Sequence, residues 1–225
     1  MDKNIFHYHM QWQNKSMESD RLYMQERVLK TLQSLFLKIL NSEFKGRILD
    51  VGFGDGSFIQ ICAKHGLRAQ GVDICHGINF ETDRLPYEDS TFDIAIMYSV
   101  IEHLYSPCNI LTEIKRVLRP KGKLIIITTN FELDNFLLCG RDFFDDPTHI
   151  HPYNRKSLRM LLKMYDFKER FLGLWVICKS HKIWKLPETL QFYYGAFLPF
   201  KGTAKYAPGF LKGRSRGILS VFEKP

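Results

Sequence analysis

A chain of 225 residues with 45% apolar residues is long enough to bury roughly 70% of its unfolded surface in one domain, without cross-links. Its five cysteines, Cys62, Cys75, Cys108, Cys139 and Cys178, are scattered and never form a C-x-x-C pair, which argues against a disulfide framework or zinc knuckle and for a reducing, cytoplasmic setting. The net charge of +8 is uneven, because residues 151–225 carry 15 Lys and Arg against 4 Asp and Glu while residues 1–150 are slightly acidic. No run approaches the roughly 20 apolar residues of a membrane span, and the first residues lack the apolar centre of a signal peptide.

In chain order, residues 1–15 have no clear period, but Leu22, Val28, Leu29, Leu32, Leu35, Phe36, Ile39 and Leu40 form a helical stripe over Ser19–Leu40. Gly46 ends that segment. Arg47–Phe58 (R-I-L-D-V-G-F-G-D-G-S-F) follows, an apolar strand that breaks into three alternate glycines before a helix to Lys64. Leu67–Ile74 reads as a second strand ending in Asp73, and Gly77–Phe80 only faintly suggests a third. Phe92–Met97 is a fourth strand, and a helix over about Asn109–Leu118 stops at Arg119-Pro120-Lys121-Gly122. Lys123–Thr129 is a fifth strand whose continuous apolar run suits a sheet covered on both faces. After an irregular stretch to Asn154, Ser157–Tyr165 is helical, and Phe167–Lys179 and Arg216–Glu223 supply sixth and seventh strands. Alternating strands and helices predict parallel βαβ units in a doubly wound sheet.

In such a sheet the ligand crevice lies beyond the carboxyl ends of the strands, where the glycine turn and Asp73 both fall. An acid ending the second strand is placed to accept both hydroxyl hydrogens of a ribose. The spacing is not that of a nicotinamide turn: Ser57 stands where G-x-G-x-x-G needs its third glycine, and Gly56 falls one residue early. Asp50 and Asp55 would repel a pyrophosphate but not a cationic ammonium. There is no G-x-x-x-x-G-K-[ST] either. A ribonucleoside carrying an amino acid fits these residues better than a dinucleotide or a triphosphate.

Five segments taken together resemble a family. Asp50–Gly56 (D-V-G-F-G-D-G), Gly71–Ile74 (G-V-D-I), Leu85–Asp93 (L-P-Y-E-D-S-T-F-D), Val100–Leu104 (V-I-E-H-L) and Leu118–Leu124 (L-R-P-K-G-K-L) are similar to the successive motifs of class I S-adenosylmethionine-dependent methyltransferases, of the small-molecule type 11/12-like group. The resemblance spans about residues 45–130, with D-P-T-H at Asp146–His149 also alike. It implies a mostly parallel, seven-stranded Rossmann-like α/β sheet with helices on both faces, and S-adenosyl-L-methionine as cofactor. It also implies roles: the backbone of Gly52, Phe53, Gly54 and Gly56, with Asp50 behind it, for the methionine moiety; Asp73 for the ribose; Ile74 on the adenine; Tyr98 and Ser99 closing the pocket. For the adenine amino group Asn79, Glu81 or Asp83 is available, and Glu81 is favoured.

Methyl transfer needs orientation and a proton acceptor at most, so no nucleophilic triad is expected. His103, His149 and His151 are the candidate catalytic residues, each of which could equally serve as a packed, hydrogen-bonded group. Asp145, Asp146, His149 and His151 offer metal-ligand types within seven residues, but acids near a helix start have an ordinary electrostatic role, and no metal is assigned. The expected organisation is an N-terminal helical segment (1–45), a cofactor-binding core (46–179) and an aromatic, basic insertion with the last strand (180–225). That insertion could cap the pocket, receive a small-molecule, glycan or lipid-linked acceptor, or make a peripheral membrane contact; nucleic acid ranks last, since no RNA-binding signature is present. The functions that follow are a cytoplasmic methyltransferase, a catalytically silent nucleoside-binding module acting through its basic surface, or a nicotinamide-dependent oxidoreductase.

Overall fold

The computed structural model describes residues 18–131, 146–178 and 214–225. The expectations for residues 1–17, for most of the irregular stretch after β4, including Asp145, and for the insertion at 180–213 lie outside the described residues. The elements are α1 (Glu18–Lys38), β1 (Arg47–Val51), α2 (Ser57–Lys64), β2 (Arg68–Val72), β3 (Phe92–Tyr98), α3 (Cys108–Val117), β4 (Leu118–Thr129), α4 (Arg155–Met164), β5 (Lys168–Cys178) and β6 (Arg214–Glu223), with short 3-10 turns at Ile74–His76 and Ile101–His103.

The strands form one sheet in the order β2-β1-β3-β4-β6-β5. β2, β1, β3 and β4 run parallel, while β6 lies antiparallel between β4 and β5. Because side chains alternate across a strand, neighbouring residues of the central strands feed two different cores. Leu49, Ala95, Met97, Leu124 and Ile126 face α3 and α4, whose Ile110, Leu111, Ile114, Val117, Leu158 and Leu162 recur at helical spacing. Ile48, Ile94, Ile96, Ile125 and Ile127 face α1 and α2 instead. The chain leaves β1 toward β2 on one side and returns to β3 on the other, so the topological switch point lies at the carboxyl ends of β1 and β3.

Six strands are described where seven were expected, since Gly77–Phe80 forms no strand. Local hydrogen bonds take that backbone instead: Asn79 N–H donates to Asp83 Oδ2 (2.8 Å), Glu81 N–H to Asn79 Oδ1 (3.0 Å) and Asp83 N–H to the Asn79 carbonyl (2.8 Å). Asn and Asp side chains offer the backbone this alternative to a ladder. β4 also starts earlier than expected, at Leu118, because Arg119–Gly122 bulges out of the strand rather than preceding it; the register with β3 shifts between Phe92 and Ile94, and Lys121 takes a φ of 65°.

α3 anchors the L-P-Y-E-D loop through one ion-paired group. Glu113 Oε2 accepts from Leu85 N–H (2.8 Å), and the Arg116 guanidinium donates to the carbonyls of Leu85 (3.1 Å) and Tyr87 (2.7 Å) while pairing with Glu113 and Asp89. Asn154 caps α4 by exchanging hydrogen bonds with Ser157. Ile126 is fully buried on β4 between Met97 and Ser220. Ile126→Ala is expected to lower unfolding stability by about 2–5 kcal/mol in urea denaturation; a loss below about 0.5 kcal/mol would contradict this packing.

Candidate functional site

The turn between β1 and α2 is made of glycines at φ 81° (Gly52), 55° (Gly54) and 78° (Gly56), a region that side chains with a Cβ enter at a cost. At Gly52 there is a second requirement, since a Cβ would lie 2.3 Å from Val100 Cγ2. The turn is therefore pressed against the segment that follows β3. Phe53 turns outward, its ring 4.8 Å from that of His76 and lying where a Cβ on Gly71 would clash at 2.4 Å. Two acids fasten the loop. Asp73 accepts from Gly54 N–H and Cys75 N–H, both at 2.9 Å, and Asp55 accepts from Ser57 N–H (3.0 Å) while pairing with Arg21 of α1 (2.5 Å).

Asp50 is different. It is 4% exposed, and no described donor hydrogen-bonds its carboxylate. Burial, with the neighbouring charges of Asp73 and Asp55 adding to it, pushes its carboxyl up to about 7. Asp55 itself is held low, because its hydrogen bonds to Ser57 and the charge of Arg21 outweigh a burial effect in the opposite direction. Beneath the glycine turn there is thus a carboxyl group that a cation would ionise.

Across Val100 the chain builds a second cluster. β3 ends at Tyr98, whose hydroxyl is pushed up to about 12 by burial and by the Glu102 charge, and Ser99 turns at φ 52° with its N–H donating to the Ile127 carbonyl (2.8 Å). Glu102 then lies 1% exposed in the apolar interior. Its carbonyl accepts from Ile150 N–H (2.8 Å) and His151 N–H (3.1 Å), which seats the D-P-T-H-I-H segment on the strand ends. His103 Nδ1–H donates to the Thr148 carbonyl (3.1 Å) and meets Thr148 Oγ1 at 3.0 Å; Oγ1 in turn donates to Asp146 (2.6 Å). The His103 and His149 rings are 4.7 Å apart.

The three histidines are therefore not equivalent. Burial, followed by the nearby His149, lowers His103 to about 4, so it is neutral near pH 7 and a weak proton acceptor there. His151 Nε2–H donates to the Tyr105 carbonyl (3.0 Å), an anchoring role. His149 Nε2 lies 3.9 Å from Asp146 Oδ2. On the adenine side, Glu81 Oε1 accepts from Tyr105 N–H (2.5 Å) and Ser106 N–H (3.3 Å), holding the loop after His103, while Asn79 and Asp83 spend their side chains on the local ring described above. Ile74 opens the 3-10 turn capped by Asp73 and is half-buried. Sequence reasoning passed over Glu102, Thr148 and Arg21. A glutamate inside the apolar V-I-E-H-L run was the signal available for the first; the other two are joined to the site only by the fold.

A methyltransferase-domain family model matches residues 21–169. The chain belongs to the class I S-adenosylmethionine-dependent methyltransferases. Among curated relatives it is 30% identical over 129 residues to a Mycolicibacterium smegmatis protein named probable S-adenosylmethionine-dependent methyltransferase, covering 57% of this chain and 46% of that protein. It is 27% identical over 134 residues to the sterol 4-C-methyltransferase strm-1 of Caenorhabditis elegans, covering 49% and 40%. The chain thus spans less than half the length of these two relatives. A SAM-dependent methyltransferase from Archaeoglobus fulgidus shares the fold, with a TM-score of 0.52, 18% identity and coverage of 88% of this chain and 94% of that one.

Membership in this family brings S-adenosyl-L-methionine as the cofactor, and the chain has residues that fit it. The unpartnered buried carboxylate of Asp50 suits an ammonium group, and the backbone of Gly52 to Gly56, bare of Cβ atoms at the glycines, suits close approach by a ligand. Because the folded value of Asp50 is raised, the free protein holds its extra proton from about pH 4 up to about 7, and the stability that proton contributes is lost as pH rises through 7. A ligand cation favours the ionised form, so the sign for binding is opposite. The dissociation constant for S-adenosylhomocysteine should rise about tenfold for each unit that pH falls below 7 and be flat in Asp50→Asn, as read by calorimetry; equal pH slopes in the two proteins would contradict the assignment.

Proposed function

We propose that this methyltransferase holds S-adenosyl-L-methionine between the glycine turn and Asp73 and methylates an O, N or C atom of an amphiphilic acceptor, a small molecule or a lipid-linked one. One observation carries this function. The Gly52 backbone lies against the Val100 side chain, and the Val100 carbonyl accepts from His103 N–H (3.0 Å), which supports placing the cofactor turn and the Glu102–His103–His149 cluster side by side at the carboxyl ends of β1 and β3. The cofactor, when bound, supplies an electrophilic methyl group on a sulfonium. What the chain itself contributes is orientation: Asp50 for the ammonium, Asp73 for the ribose hydroxyls, Ile74 and Phe53 as apolar surface, and the strained Ser99 turn closing the pocket.

His103, neutral and fixed in its ring orientation by Thr148, would present a lone pair to the acceptor, with His149 beside it. The amphiphilic character of the acceptor is supported by the aromatic and basic composition of residues 184–211 and by the sterol acceptor named for the C. elegans relative. A cytoplasmic protein meeting a membrane surface through its basic C-terminal third is consistent with this acceptor, and no helix among the described residues is long and apolar enough to cross a membrane.

S-adenosylhomocysteine is expected to raise the melting temperature of the full chain by several degrees, as a ligand bound only to the folded state must, and Asp73→Ala should abolish the shift. Because Asp73 also holds the Gly54 and Cys75 amides, the variant's own melting temperature and circular dichroism are recorded alongside. A full shift in a folded Asp73→Ala protein would overturn the ribose assignment. Incubation with methyl-labelled cofactor and a cell extract should place label in the organic-extractable fraction; label confined to protein or nucleic acid would overturn the acceptor class.

A further inference from the structure

We propose that Glu102, His103 and His149 form a binding site for a divalent transition metal of the zinc type, with a coordination position left open toward the acceptor. One potential donor atom from each of the three lies within 4.8 Å of the other two. The site differs from the metal set weighed in the sequence, Asp145, Asp146, His149 and His151, of which only His149 remains. His151 is turned onto the Tyr105 carbonyl, and Asp146 Oδ1 is taken by Thr148 N–H (2.9 Å) and Oγ1.

The observation that asks for a ligand is Glu102. Its Oε2 accepts from Thr128 Oγ1 (2.8 Å), but Oε1 is buried without a hydrogen-bond partner. A carboxylate oxygen left unpaired out of water is costly, and such groups are normally paired or bound to metal. The Thr128 hydroxyl engages one oxygen of this carboxylate and leaves the other open to a ligand.

The surroundings match an outer coordination shell. A metal-ligating histidine usually donates its other ring N–H to a carbonyl or carboxylate, which fixes the tautomer. Here His103 Nδ1–H is given to Thr148, leaving the lone pair on Nε2, and Thr148 is itself held by Asp146. Thr128 orients the carboxylate in the same way. The carbonyl of Glu102 binds Ile150 and His151 N–H, so the two segments carrying the ligands are clamped together although His103 and His149 are 46 positions apart in the sequence.

Two imidazoles and one carboxylate select zinc, iron or nickel over magnesium or calcium, which prefer all-oxygen shells. Three protein ligands are the pattern of catalytic zinc sites, in which the fourth position receives water or substrate. Bonds of roughly 2.0–2.2 Å in a tetrahedral site require the donor atoms to close by up to about 1.4 Å, within reach of side-chain rotation. Metal binding itself is independent of the methyl-transfer reading; the open position facing the acceptor rests on it, and in the metal-bound protein that position, not the His103 lone pair, meets the acceptor.

The test is calorimetric titration of the full chain, stripped by chelator and dialysed, with Zn²⁺ alone, and separately with S-adenosylhomocysteine. One equivalent of Zn²⁺ should bind with a dissociation constant tighter than about 10 μM, and Glu102→Gln and His149→Ala should each weaken it about tenfold or more. Weaker binding by the wild type, or affinity undiminished in a folded variant, overturns the proposal. Circular dichroism confirms folding, and if Glu102→Gln fails that check, His149→Ala decides. Failure to bind S-adenosylhomocysteine with Zn²⁺ binding intact would overturn the cofactor assignment and leave the metal site standing.

Discussion

A buried carboxyl group with no hydrogen-bond donor among the described residues, Asp50, is the constraint on which the rest of this account depends. Asp50 sits on β1 beside the apolar Ile48, Leu49 and Val51, with Asp73 and Asp55 adding negative potential to its burial. A core assembled only for stability would not place a carboxyl group there. The surrounding features make sense once that group is accepted. Glycines at Gly52, Gly54 and Gly56 keep side chains off the space above it, Asp73 braces the turn from β2, and Arg21 reaches from α1 to hold Asp55. The folded protein thus accepts at Asp50 an electrostatic penalty that a bound cation would remove.

The same logic recurs across Val100, where Glu102 is a second buried carboxylate with one oxygen satisfied and one not. The two sites are mechanically joined, since Val100 is both the residue that forbids a Cβ at Gly52 and the acceptor for the His103 N–H. A sheet with alternating strands and helices makes this juxtaposition available: its switch point puts the ends of β1 and β3 side by side. The contacts from Glu102 and His103 to residues 148–151 then bring in a segment from beyond β4 beside the two strand ends.

Much of this was legible in the chain because its periodicities are strong. The strands with continuous apolar runs, such as Phe92–Tyr98, and the helices with clean stripes, such as Cys108–Val117, were readable within a residue or two, and the glycine turn announced itself by composition. The strand suggested at Gly77–Phe80 misled because Asn79 and Asp83 satisfy the backbone locally, a competition that hydropathy does not register. The antiparallel insertion of β6 between β4 and β5 had no local signal at all. Among candidate site residues, motif chemistry singled out Asp50 and Asp73, whereas the difference between His103, His149 and His151 depends on the partner each ring meets. Glu81 was favoured over Asn79 and Asp83 for an adenine contact on the family resemblance, and the fold uses one of its oxygens to hold the loop at Tyr105 and Ser106.

The most direct measurement is a crystal structure of the chain with S-adenosylhomocysteine bound. The methionine ammonium should lie within about 3 Å of the Asp50 carboxylate, directly or through one water, with the ribose hydroxyls on Asp73 and the sulfur facing His103 and His149. A complex in which the ammonium lies elsewhere and Asp50 remains without a partner would contradict the assignment of this carboxylate, and with it the central claim that the site is built around a cation.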